Sequence, residues 1–463
     1  MHTPAPFLKN WPLALALAGL LVAQLACSLG ETTTPATLAA QSSAPPASTA
    51  TVPAPAQTDT PAPTHTNTPT LTHTNTPAPD YFTPEYPLSP ISYVIPLTVR
   101  HVTENSATLF FELSQPVEGR LVYRSSDPGA PQQGELALAP GETRQMFTLE
   151  GLAPGAAYQV RVLLGEGPET FQQPGFTGQA WDPVGLRTAS NEPPLRVGVL
   201  GDASFGDQAT QQLVALMSGY DLDFVIHTGD VVYETDGSDL ERSYTLKFFE
   251  PFAPLLHHMP VYTVLGNHDY DKVLRWQGAP FYDYAFPAFP DPAFSYPPDR
   301  RANQYYAFTY QGVQFLMLDS QVFYGVEGRD GQKEWLMQRL QDPRFRLTIP
   351  VFHVAPYSSS VVHPDDGRPM RLTWGPLFEA AGVRLSFSGH FHHYERLFAN
   401  GVTYIVSGGG SSTLYAQGQS LPESQIYLRR THFVLMEIYA DRIQLSAISK
   451  EGETLDQAVI SLP

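Results

Sequence analysis

Leu195-Arg-Val-Gly-Val-Leu-Gly-Asp202, Asp223-Phe-Val-Ile-His-Thr-Gly-Asp230 and Pro260-Val-Tyr-Thr-Val-Leu-Gly-Asn-His-Asp269 follow one pattern. Each is a short apolar run, rich in β-branched residues, that ends in glycine and then a carboxylate or an asparagine. Runs of this length and composition read as buried strands. Between them, Ala209–Met217 and Leu240–Phe252 read as helices. The alternation predicts βαβ units and a largely parallel α/β sheet. In open sheets of that kind ligands lie just beyond the carboxyl ends of the strands. Three separate elements would therefore bring polar groups to one edge.

Further segments extend the set: Gly229-Asp-Val-Val-Tyr233, Val351-Phe-His353 and Gly389-His-Phe-His392. A single Gly-Asp or a single histidine at a strand end is usually structural. Five such motifs in succession, each closing an apolar strand, point to chemistry. Asp, Asn and Tyr oxygens together with imidazole suit Fe, Mn and Zn. Two metals about 3.5–4 Å apart need a shared carboxylate, and together they clamp both oxygens of a phosphoryl transfer. Glycine before a ligand lets the backbone turn sharply and approach the metals. His390 and His392 are two residues apart, so both reach one cluster only across an irregular strand-to-loop transition.

In this order the motifs resemble those of the calcineurin-like metallophosphoesterases, and among these the purple acid phosphatases. Tyr233 lies three residues after Asp230, and Gly389-His-Phe-His-His-Tyr-Glu-Arg396 is similar to that family's histidine block. Pro356-Tyr357-Ser358 follows His353, and His363 comes ten residues after it. The chain departs from the pattern at Ser204, where many relatives carry histidine, and at Val362, where some carry a second substrate-facing histidine.

The resemblance covers about residues 90–463. It implies a four-layer αββα catalytic domain over 191–463, preceded by an all-β, fibronectin type III-like domain over 89–190. It also implies one metal held by Asp202, Tyr233 and His392, a second held by Asn267, His353 and His390, and Asp230 bridging them. The metals would be Fe(3+) with divalent Fe, Zn or Mn. A metal-bound hydroxide would attack a phosphate monoester, His268 would act at the leaving group, and His363 would bind phosphate. Plain readings stand beside these: His268 as a ring supporting the ligands, His363 as a loop surface residue, Tyr233 as a core aromatic. His227, His393 and His432 read as structural, and His101 as a surface residue. A phosphodiester or nucleotide substrate is the alternative within the enzyme reading. A catalytically silent, surface-displayed binding protein is the alternative outside it, although no ligand of the set is missing.

The formal net charge is -18. Such acidity argues against a nucleic-acid partner, which needs Lys and Arg for its phosphates. It would also repel a small phosphate ester unless bound cations reverse the local field. The sole cysteine, Cys27, follows the apolar run Pro12–Ala26. Residues 1–27 thus read as a signal peptide with a lipoprotein-type cysteine, although Gln24 departs from the usual aliphatic position. Plain secretion or an uncleaved anchor are the alternatives, and all three place the protein outside the cytoplasm. Membrane contact would come only through that lipid or anchor.

Residues 28–88 are Thr, Pro, Ala and Ser with a near-repeat at Thr64–Thr70 and Thr72–Ala78, a composition that cannot bury a core. They read as a disordered stalk, and His65 and His73 as part of its repeat. Ala107–Leu113, Gly119–Tyr123, Gln145–Leu149 and Ala157–Val162 alternate as sandwich strands do. Leu149–Tyr158, with its Pro-Gly turn, resembles the fibronectin type III signature. Residues 270–304, rich in Tyr, Phe and Pro, read as a long loop, and Gly408-Gly-Gly410 as a tight turn beside the cluster.

Overall fold

The computed structural model describes residues 80–128, 131–203, 205–233, 239–270, 278–287, 295–296 and 303–463. The apolar run with Cys27, the stalk as far as residue 79 with His65 and His73, Ser204 and most of the segment 270–304 lie outside the described residues. Residues 80–88, expected as the end of the disordered stalk, are instead packed: Tyr81, Phe82 and Tyr86 lie against Val122, Leu163 and Phe171, because these aromatic rings can bury apolar area where the Thr/Pro/Ala stretch cannot. No described helix is long and apolar enough to cross a membrane.

Residues 88–187 build two sheets. In one, Leu88–Val102 lies between Ser106–Leu113 and Gln173–Phe176, with Arg144–Glu150 and Gln179–Ala180 at the edges. In the other, Gln133–Ala137, Gly119–Ser125, Ala157–Leu164 and Val184–Arg187 lie side by side. Alternation sets which side is buried: in Arg144–Glu150 only Gln145, Phe147 and Leu149 are buried. The Pro-Gly turn at 154–155 is closed by Tyr158. Its hydroxyl accepts a hydrogen bond from the Ala153 amide (2.8 Å) and donates one to Gln132 Oε1 (2.7 Å). The ring is buried, so the hydroxyl pins the turn to the strand that follows it.

The α/β part has two mixed sheets. In the six-stranded sheet Leu195–Leu200, Phe224–His227 and Val261–Thr263 pair in parallel, with Val199 opposite Ile226 and Ile226 opposite Tyr262. The expectation of a largely parallel sheet is only half met. His432–Ile438 adds antiparallel to Leu195–Leu200, and Arg442–Ser449 and Thr454–Ser461 continue as a meander. The reason is connectivity: hairpins need no crossover helix, and the C-terminal 30 residues have none. The seven-stranded sheet carries Leu347–Val354, Leu385–Gly389 and Val402–Ser407 in parallel at its centre.

The first helix spans Gln208–Met217; Asp207 caps it by accepting from the Thr210 amide, and it buries Leu213, Val214 and Met217. The second helical stretch runs from Leu240 to Leu256 with a π-helical turn at Thr245–Phe249. Within 270–304, Pro280–Ala285 is a helix, where a loop was expected.

His101 is not a free surface residue. Its Nδ1 lies 2.9 Å from the Tyr262 hydroxyl, and burial pushes its pKa down to about 4. Arg144 also crosses from the β-rich region, donating to the Tyr284 carbonyl at 2.7 Å. The Gly185 amide donates to the His257 carbonyl at the same distance, 2.7 Å. Tyr158→Phe should destabilise the protein by about 1 kcal/mol, because the half-buried Ala153 amide loses its acceptor. Denaturant unfolding of the two proteins measures this.

Candidate metal centre

Asp202, Asp230, Asn267 and His390 all follow the ends of parallel strands, on one edge. Close approach explains the glycines before them. A Cβ on Gly389 would sit 2.5 Å from Asp202 Oδ2, and one on Gly266 would meet Asp230 Oδ1. The sharp turns, however, fall on the candidate ligands themselves: φ is +55° at Asp202, +54° at Asp230 and +68° at His390. Side chains rarely adopt this left-handed region, and such strain collects at functional sites. At His390 it reverses the chain directly after Gly389, and the Phe391 amide bonds back to the Gly389 carbonyl at 2.8 Å. This irregularity brings both His390 and His392 to the cluster.

Two triangles of donor atoms result. Tyr233 Oη lies 2.8 Å from His392 Nε2 and 3.2 Å from Asp202 Oδ1, and the third side is 3.3 Å. Asn267 Oδ1 lies 3.2 Å from His353 Nε2 and 3.0 Å from His390 Nδ1. Asp230 adjoins both sets: its Oδ2 is 3.3 Å from His353 Nε2, and Asp202, Asp230 and His353 offer ligand atoms within 4.8 Å of one another. The Asp230 carboxylate also accepts the His268 amide at 2.8 Å.

Each imidazole is oriented from behind. His353 Nδ1 donates to the Thr228 carbonyl at 2.9 Å, His392 Nδ1 to the Thr413 carbonyl at 2.9 Å, and His390 Nε2 to Asp366 Oδ2 at 3.0 Å. Without metal these contacts are held by protons, since the Tyr233 hydroxyl donates to Asp202 Oδ1 and His353 Nε2 faces Asp230 Oδ2 at 3.3 Å. A bound cation would take the place of those protons. Ligands about 2.1 Å from a metal and at right angles are about 3 Å apart. The residues thus fit two cations.

The electrostatics agree. Burial opposes a charge on His353, but Asp230 and Asp202 outweigh it and push its pKa up to about 9. Burial and then Asp230 raise the Tyr233 phenol well above its ordinary value. Both are signs of a site short of positive charge, which bound metal would invert.

His268 is half-buried, with its ring 4.2 Å from that of Tyr233. His363 is about half exposed; its Nδ1 lies 3.4 Å from Asp366 Oδ2 and its ring 5.1 Å from that of His390. His227, His393 and His432 stand outside the triangles. His227 packs near Phe252, His393 bonds Glu395 Oε2 at 3.1 Å, and His432 Nδ1 bonds the Arg430 carbonyl at 2.9 Å. The Gly408–Gly410 turn touches the cluster, since a Cβ on Gly408 would lie 2.8 Å from Asp202 Oδ2.

Sequence reasoning passed over three residues. Asp269 closes the quoted Gly-Asn-His-Asp motif. Its carboxylate accepts the amides of Val231 (2.8 Å), Val232 (3.2 Å) and Gly266 (2.8 Å), tying the Asp230 loop to the Asn267 loop. Burial, and then Asp230, push it up to about 7. Asp366 follows His363 by three residues and holds both His390 and His363. A carboxylate so close to a candidate histidine was the available signal. Tyr415 stacks on His392 with ring centres 4.2 Å apart and planes 8° from parallel. It comes from an irregular loop with no motif to mark it.

Residues 195–394 match the model of the calcineurin-like phosphoesterase family. Among curated proteins, the chain is similar to purple acid phosphatase 18 of Arabidopsis thaliana, 31% identical over 155 residues (32% of this chain, 33% of that protein). It is also similar to a nucleotide pyrophosphatase/phosphodiesterase of Hordeum vulgare, 24% identical over 47% of this chain and 65% of that protein. The first of the curated relatives are spanned over a third to about half of their length. In fold it is similar to purple acid phosphatase PPD1 of yellow lupin (Lupinus luteus), with TM-score 0.62 at 16% identity over 79% of this chain and 74% of that one.

Asp366→Asn should weaken metal binding at the His390 site by about 10- to 100-fold, the usual cost of losing a partner behind a ligand. Competition with a chelator measures it, with the His353 and Asn267 side of the site intact.

Proposed function

We propose that this chain, whose residues 195–394 form a calcineurin-like phosphoesterase domain, is a metal-dependent phosphoric ester hydrolase of the purple acid phosphatase type, acting on phosphate monoesters. The observation that carries the reading is the pair of donor triangles about one shared carboxylate, Asp230. Asp202, Tyr233 and His392 would hold one cation, and Asn267, His353 and His390 the other. When bound, such cations supply Lewis-acid stabilisation of charge on phosphoryl oxygens and lower the pKa of water.

The protein's own groups do the rest. His268, half-buried with its amide on Asp230, is placed to give a proton to the leaving oxygen, a role worth about 10²–10⁴ in rate. His363, on the open side of His390, donates an N–H to a phosphoryl oxygen of the substrate, while Asp366 holds its ring from the other side. Asp269 keeps the loops of Asp230 and Asn267 in register.

The Tyr233 site favours a trivalent ion. Burial keeps the phenol protonated on its own, so a phenolate there needs a strongly charged partner, and a hard anionic oxygen prefers iron(III). The neighbouring set, with the neutral Asn267 and two histidines, suits divalent Fe, Zn or Mn. A diester or nucleotide substrate is the second reading, favoured by the likeness to the barley pyrophosphatase/phosphodiesterase; a panel of mono- and diesters separates them. The acidity argues against a nucleic-acid partner, and a small phosphate ester would be drawn in by the bound cations and not by the protein's net charge. Cys27, after its apolar run, supports export with a lipid anchor, which mass spectrometry of the mature N-terminus tests.

Two results are expected. Asp230→Asn should lose metal at both sites together and lower turnover of phenyl phosphate by at least about 10³-fold, given that one carboxylate serves both cations. Wild-type metal content and turnover in that variant would end the proposal. Iron-loaded wild-type protein should show a visible phenolate-to-iron band that Tyr233→Phe abolishes; a band that survives would remove Tyr233 from the ligand set.

A further inference from the structure

Tyr415 is half-buried beside the candidate metal centre, on a loop held from several directions. Its amide donates to the His392 carbonyl at 2.8 Å, and its carbonyl accepts the Tyr427 hydroxyl at 3.3 Å. The residues that follow it pair with the loop that carries His363. The Val361 amide donates to the Ala416 carbonyl at 3.0 Å, Ser360 bridges Gln417, and the Gly418 amide donates to the Ser359 carbonyl at 2.7 Å. One step further in this antiparallel register, Tyr415 comes opposite Val362, the neighbour of His363. A loop tied in this way holds its side chain in place before any ligand arrives, so little ordering entropy is lost on binding.

The side chain runs toward the cluster. Tyr415 and His392 leave backbone that is hydrogen-bonded together, and their rings lie side by side, with centres 4.2 Å apart and planes 8° from parallel. His392 directs its Nε2 at Tyr233 and Asp202. The longer Tyr415 side chain therefore carries its hydroxyl the same way, beyond the imidazole. The charges agree: burial, and then Asp202 and Asp230, push this phenol up to about 12, and it acts in turn on Tyr233. Among the described residues none bonds the Tyr415 hydroxyl. His363 comes from the His390 side, with its ring 6.4 Å from that of Tyr415. Two hydrogen-bond donors thus flank the open side of the two donor sets. A neutral hydroxyl can bond a phosphoryl oxygen without adding to the chain's negative charge.

We propose that Tyr415 is a substrate-binding residue: its hydroxyl donates a hydrogen bond to a phosphoryl oxygen of the ester, on the flank opposite His363. The inference rests on the two-cation phosphoesterase reading, which places the phosphoryl group between these flanks.

Tyr415→Phe removes the hydroxyl and keeps the ring on His392. Inorganic phosphate is titrated by calorimetry into metal-loaded wild-type and variant protein, and the metal content of the same samples is measured. The two proteins should hold equal metal, and the variant should bind phosphate about tenfold more weakly, a usual loss for one hydrogen bond to a charged group. Equal phosphate affinity in the two proteins overturns the proposal. So does a loss of metal in Tyr415→Phe, which would make the phenol a partner of the cation and not of the substrate. If wild-type protein binds no phosphate, the phosphoesterase reading itself fails and takes this inference with it.

Discussion

Six candidate ligand groups converge in two sets, with Asp230 beside both, at spacings that suit a bound cation. Asn267 Oδ1 is 3.0 Å from His390 Nδ1, and Asp230 Oδ2 is 3.3 Å from His353 Nε2. Without metal, protons on Tyr233 and His353 must hold such contacts together. The rest of the structure can be understood as what is needed to hold the cluster: the imidazoles are gripped from behind by Thr228, Thr413 and Asp366, and the loops are gripped by Asp269. Each grip also selects the tautomer, so the geometry and the chemistry of a ligand are set by the same hydrogen bond.

The strain has the same origin. Asp202, Asp230 and His390 adopt left-handed backbone conformations that cost free energy of about 1–3 kcal/mol each. The surrounding β-sheets over-determine these turns. Each of these three residues follows the end of a strand paired on both sides in its sheet, so the chain leaves the sheet by a sharp turn. The glycines serve less to adopt strained angles than to leave room, since at Gly266 and Gly389 any side chain would displace a carboxylate oxygen. Stability is thus traded locally for a pre-formed polar pocket, and the apolar core beneath it offsets the cost.

Among the described residues the β-rich region contributes no candidate ligand, yet it is not a loose appendage. His101 meets Tyr262 on the strand that leads to Asn267, and Arg144 meets Tyr284. Tyr282, from the helix that carries Tyr284, bonds both the hydroxyl and the carbonyl of Thr263, the last residue of that same strand. The β-rich region therefore braces the element that presents Asn267 and His268. The lowered pKa of His101 suits this place: a charged imidazole there would have to be desolvated against aromatic rings.

Strand identity and ligand type were legible in the sequence because both are local. An apolar run of six residues makes a strand by its own patterning, and a Gly-Asp or Gly-Asn-His-Asp at its end announces a polar turn. The resemblance to a known family added the grouping of the ligands, which spacing alone does not contain. Sheet direction was legible only where a helix separates two strands, and the antiparallel meander at 432–461 escaped because hairpin and crossover look alike in hydrophobic pattern. Asp366 and Tyr415 escaped for a deeper reason. Their importance lies in what they touch across 24 and 23 residues of sequence, and no local pattern encodes such contacts. The sequence by itself determined which residues offer metal-binding atoms and which strands lead to them. Only the tertiary structure decided which lone pairs meet and which groups hold them there, because convergence at about 3 Å is a property of packed strands and not of any one segment.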